Sequence, residues 1–146
     1  MRLIILIVIF SLNGFTKEVR EPAQYIEQID IVTEKIKNKN KRQKVQHLKE
    51  FFDWMQTKNS EEIPLLLSDN VSEDIKSKIK QNRIIYYGLE PLKEVYIDKG
   101  LLPTQSQCKN LIKNVKYDDL IGRDEASPQL NQSALKIIKL LTNTCL

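Results

Sequence analysis

One histidine and two cysteines in 146 residues exclude most of the chemistry a small protein can carry. Nucleophilic catalysis needs a base beside the nucleophile, and His47 is the sole imidazole. No Gly-x-Ser-x-Gly turn accompanies it. A zinc site takes about three or four ligands at suitable spacing, which His47 with the distant Cys108 and Cys145 do not supply. The four glycines form neither a phosphate-cradling loop nor a dinucleotide fingerprint. The acid-rich stretch from Asp118 to Glu125 lacks the alternate-position ligand ladder of a calcium loop. Glycoside chemistry needs only two carboxylates, for which Glu61 or Glu62 with Asp118 are the candidates. Aromatics make up only 7% of the chain, however, and most of them fall on helix faces. The expectation is a protein that is not an enzyme, with no catalytic residues, cofactor or metal. A formal net charge of +4 is too small to argue for nucleic acid.

What is present begins with a leader. Arg2 precedes the unbroken apolar run Leu3 to Phe10, and polar sequence starts at Thr16-Lys17-Glu18. One basic residue followed by a short apolar stretch fits a signal peptide over residues 1–15, with Gly14 as the small residue nearest a cleavage point. The run is shorter than the ~20 apolar residues that a spanning helix needs, so no transmembrane span is expected in the mature chain. An uncleaved anchor and a buried strand are the other readings of the same residues. Export to a secreted or periplasmic location gives the cysteines a use, because an even pair in an oxidising compartment reads as a disulfide between Cys108 and Cys145.

Residues 16–146 read as one all-α domain, a compact bundle of about five to seven helices held by that disulfide. The content of Lys, Glu, Gln, Leu and Ile favours helices, and five prolines with four glycines are too few for a turn-rich β fold. Tyr25, Ile29, Val32 and Ile36 follow Pro22 along one helical face, with Ile26 and Ile31 off that line. A second helix spans about Lys41 to Lys58. Ser60-Glu61-Glu62 resembles a further helix start before Leu65-Leu66-Leu67. Ser72 caps a helix carrying Ile75 and Ile79, which Gly88 is expected to end. Glu90-Pro91 then opens another, with Leu92, Val95 and Tyr96 inward and Gly100 as its stop. Thr104 and Gln107 form a capping box ahead of Cys108, Leu111, Ile112 and Val115. Residues 117–127 read as a loop. Ser127-Pro128 starts the last helix, whose inner face holds Leu130, Ala134, Ile137, Ile138, Leu141 and Cys145.

The second helix carries the strongest functional signal. At about 100° per residue, Val45, Leu48, Phe52 and Met55 share a sector of about 80°. Phe51 lies about 40° beyond its edge and Trp54 about 100° beyond, with His47 beside Trp54. A helix apolar over half its circumference packs between two neighbours or reserves a face for a partner. His47, Phe51 and Trp54 are therefore the candidate partner-binding residues. A run of seven cations from Lys35 to Lys49 contains no acid, which gives a solvated basic face or attraction to an acidic partner. No aromatic residue interleaves it, so no nucleic acid is expected.

The function these features suggest is a secreted or periplasmic protein-binding module of the inhibitor or immunity type. The alternative is a helical carrier of a small apolar ligand, prompted by the surplus of apolar residues in Leu65 to Leu67 and Ile84 to Tyr87. The stretch Asp98-Lys99-Gly100-Leu101-Leu102-Pro103-Thr104 resembles the helix junctions of insect helical carrier proteins. Those carry more cysteines than this chain, so the resemblance assigns no residue a role. Asn70-Val71-Ser72 and Asn131-Gln132-Ser133 match the glycosylation acceptor pattern.

Overall fold

The computed structural model describes residues 21–117 and 128–146. The expected leader, the acidic stretch and Asp118 lie outside these residues, as does any contact they make. The described chain is all-helical: α1 (Pro22–Ile36), α2 (Lys41–Leu66), α3 (Glu73–Val95), α4 (Gln105–Tyr117) and α5 (Pro128–Cys145), with a short 3-10 turn at Ile97–Lys99.

Local chemistry sets most of the boundaries. Pro22 occupies the first position of α1, where its missing N–H costs nothing, and the Glu21 N–H donates to Gln24 Oε1 at 2.9 Å. Asn38 takes a left-handed conformation (φ 60°) just past the end of α1. Asn40 then opens α2, its Oδ1 accepting from the Gln43 N–H at 2.9 Å. Ser72 accepts from the Ile75 N–H as expected, and Thr104 and Gln107 bond each other reciprocally at 2.8 and 3.2 Å. Gly100 ends the 3-10 turn at φ 71°, a conformation glycine reaches without steric cost.

Two expected boundaries are not there. α2 runs through Ser60 and Pro64, and α3 runs through Gly88 and Pro91. Gly costs a helix interior about 1 kcal/mol and Pro about 3 kcal/mol. Against this, Ile85, Leu89 and Leu92 form one uninterrupted buried stripe across Gly88 and Pro91. A fully buried Leu contributes roughly 1.5–3 kcal/mol, so continuity outweighs the breakers. Val95, expected inward, lies past the end of that stripe and is exposed.

The helices share one core. Tyr25, Ile29 and Ile36 of α1 meet Leu48, Phe52 and Met55 of α2, Ile85 and Leu89 of α3, Val115 of α4 and Ile137 and Leu140 of α5. α1 packs chiefly on α5 and also on α2 and α3, whereas α4 rests on α5 and lightly on α3. Cys108 near the start of α4 is bonded to Cys145 at the end of α5, with Cα atoms 6.4 Å apart, within the ordinary range for a disulfide. Lys136–Asp30 and Lys139–Glu34 pair α5 with α1 at 3.1 and 3.5 Å.

Tyr86 and Lys93 give the fold an alkaline limit. Burial pushes the Tyr86 phenol above its ordinary 10.0, against the opposing charge of Lys93. The hydrogen bond to Asp98 at 2.9 Å raises Lys93 above 10.5, with burial opposing. The fold therefore favours neutral tyrosine and charged lysine, and both contributions fade as pH rises through the raised values. The urea midpoint is expected to be lower above pH 10.5 than below pH 10.0, and less so in Lys93→Met. An equal fall in both proteins would show that Lys93 does not contribute to the alkaline limit.

Candidate functional site

His47, Phe51 and Trp54 lie on one flank of α2 and, with α1, line a groove of about 180 Å³. Spacing explains the grouping: residues three and four apart on a helix stack on one face. α1 supplies the opposite wall through Gln28, Ile31, Val32 and Lys35, and Glu50 adds to the rim. The groove exists because α1 and α2 are consecutive and are joined by a short turn around Asn38.

The three residues differ in what they expose. Phe51 is buried at 7% exposure and stacks tilted on Phe52, with ring centroids 5.2 Å apart. It forms a wall of the groove and belongs equally to the core. Trp54 is half-buried, tilted against Tyr25 at 5.6 Å between centroids. His47 is also half-buried, and its Nδ1 has no hydrogen-bond partner among the described residues. Ile31, 47% exposed on α1, is the most accessible large apolar side chain of the groove. Ile26 lies off the main α1 stripe as well but is buried, so that position alone does not mark Ile31 out in the sequence.

Charge around the groove is uneven. Glu50 accepts from Gln46 Nε2 at 3.1 Å, while Lys35 has no ion pair among the described residues. The basic run does not form one surface. Lys44 is buried and its Nζ donates to the Asn143 carbonyl at 3.0 Å, in the last turn of α5, where backbone carbonyls lack helical partners. Lys41, Arg42 and Lys49 border a separate depression with Gly100.

The residues weighed for catalysis are also dispersed. Glu61 is exposed beside Asp53, Gln56, Thr57 and Ser60 on a depression lined by α2 alone. Glu62 is fully buried, and its Oε2 accepts from the Tyr25 hydroxyl at 3.2 Å and from Asn82 Nδ2 at 3.1 Å. No group of three or more His, Cys, Asp or Glu among the described residues is placed to hold a metal ion. No helix among them is long and apolar enough to cross a membrane. Asn70 is exposed in the turn between α2 and α3, while Asn131 falls within α5. The chain matches no known family model, no curated protein and no solved structure.

Proposed function

We propose that the protein is a binding module of the inhibitor or immunity type, acting in a secreted or periplasmic setting. Its docking face is the groove between α1 and α2, and its partner is another protein. The observation that carries this reading is the groove itself: half-exposed Ile31 and Trp54 over a floor of Val32 and Phe51, with a polar rim. A large side chain that is partly exposed beside a well-packed apolar floor is the usual form of an interface anchor point. The volume selects the occupant. Drug-sized ligands occupy about 300–1,000 Å³, whereas a cavity of about 150 Å³ holds a benzene ring. At about 180 Å³ the groove suits one bulky apolar side chain projecting from a protein surface. Lys35 on the rim favours an acidic residue beside that anchor. The disulfide supports an oxidising location.

The carrier reading ranks second. The segments that prompted it are largely used by the core, since Ile85 and Tyr86 are buried. Leu67 is 85% exposed in the turn after α2, which is no lining for a cavity. Organic extraction of the native protein followed by mass spectrometry would favour this alternative by finding a stoichiometric apolar molecule.

The test is photo-crosslinking from position 31 in the compartment where the protein resides. Direct titration of the purified captured protein then follows. Trp54→Ala and Ile31→Ala are each expected to weaken that complex by about 2 kcal/mol, roughly thirtyfold. Ile31→Ala is the cleaner variant, because Trp54 also packs on Tyr25, a contact worth about 0.5–1.5 kcal/mol of stability. A partner that binds both variants as tightly as the parent would remove the groove from consideration.

A further inference from the structure

The basic residues that lie away from the groove form a site of their own. Lys41 and Arg42 in the first turn of α2, and Lys49 two turns on, border a depression of about 480 Å³ with Val45, Gln46 and Gly100. It has no residue in common with the Trp54 groove. The three cations are exposed and have no ion pair or hydrogen bond among the described residues, whereas seven described carboxylates elsewhere are paired with lysine. Two of the cations sit at a helix N-terminus, where the backbone dipole already disfavours positive charge. No acidic residue occupies the first turn of α2 to offset them. An anion in the depression would relieve this repulsion, and the Arg42 guanidinium offers a planar fork suited to carboxylate.

We infer that this depression binds an acidic peptide segment, rich in Asp or Glu, of a partner protein. The distinction from other polyanions comes from Gln46. Its amide Nε2 donates to Glu50, which leaves the Oε1 as an acceptor at the rim. A peptide backbone has N–H groups to donate to that oxygen, and a phosphate or sulfate ester does not. Concavity argues against a bilayer, because a flat headgroup surface meets the raised cations without filling the space between them.

The site is tested with fluorescein-labelled octaglutamate titrated into the full chain at low ionic strength, followed by fluorescence anisotropy. Saturable binding is expected, weakened about tenfold or more in Lys41→Gln/Arg42→Gln/Lys49→Gln. The variant Lys80→Gln/Lys109→Gln/Lys113→Gln removes the same charge from exposed positions on α3 and α4 and is expected to stay within about twofold of the parent. Equal weakening by the two triple variants would reduce the effect to net charge and overturn the inference. So would failure of octaglutamate to bind while heparin, or vesicles of phosphatidylcholine with phosphatidylserine, bind and respond to the first triple variant. Trp54→Ala is expected to leave octaglutamate affinity unchanged, which keeps this result separate from the fate of the α1–α2 groove.

Discussion

Replacing Cys108 and Cys145 together by alanine is expected to lower the free energy of unfolding by about 3.5–4 kcal/mol. The bond joins residues 37 apart in sequence, and the loop it closes loses conformational freedom in the unfolded chain. For a chain of this size a loss of that order lowers the thermal midpoint by roughly 10–20 °C. The effect is not spread evenly. α4 rests on α5 and touches α3 only lightly, and of its apolar residues Leu111 and Ile112 are only half-buried. Without the bond, the end of α4 that carries Cys108 keeps its Thr104–Gln107 cap and the partly buried Leu102 and Leu111. Hydrogen exchange should therefore accelerate first in Gln105–Tyr117, while α1, α2 and α3 keep their protection. A double variant that melts within about 2 °C of the parent, with α4 still protected, would show that packing on α5 alone holds this helix.

The cysteine pair was legible because two cysteines allow only one pairing, so the sequence question reduced to whether the bond forms at all. The caps at Ser72 and Thr104 were legible for a similar reason: each is decided by residues within three positions of one another. Helix continuity was harder to read. Gly88 and Pro91 look like punctuation when taken locally, but the buried stripe through Ile85, Leu89 and Leu92 crosses both. Tertiary burial overrides local propensity there, and no short window of sequence contains it. The same applies to Lys44. Within a run of cations it reads as solvated, and only the arrival of the α5 C-terminus, 99 residues later, supplies the Asn143 carbonyl it bonds.

The groove was partly legible. Angular position on α2 placed His47, Phe51 and Trp54 on a common flank, and the structure brings all three to one groove. Angle alone could not tell how deep each would sit. Phe51 is buried because α1 packs over that flank, bringing Val32 to the same floor, whereas Trp54 sits farther around the helix and stays half-open. The opposing wall, Ile31 with Gln28 and Lys35, depends on how α1 is rotated against α2. That rotation is set by the whole core and not by either helix.

Glu62 should be among the least replaceable residues of the described chain, and Glu62→Ala is expected to cost about 3–5 kcal/mol. The residue lies seven positions after Met55 and fourteen after Leu48, so a helix that continues past Ser60 brings its carboxylate onto the apolar face. A carboxyl group with 0% exposure is tolerated only where hydrogen bonds replace its water. Oε2 accepts from Tyr25 on α1 and Asn82 on α3, so one side chain of α2 joins three helices through the core. Alanine takes away the acceptor for both donors and leaves a void besides, each stranded donor costing roughly 1–3 kcal/mol. Glu62→Gln keeps an oxygen at the same reach and is expected to lose less than half as much. Tyr25→Phe removes one donor while leaving the ring against Trp54, for a cost of about 1 kcal/mol. Combining Tyr25→Phe with Glu62→Ala should then cost less than the sum of the two, because the hydrogen bond removed by one change is already absent in the other. Urea unfolding of the four proteins measures this directly. Strict additivity would mean that the tyrosine and the carboxylate are not coupled.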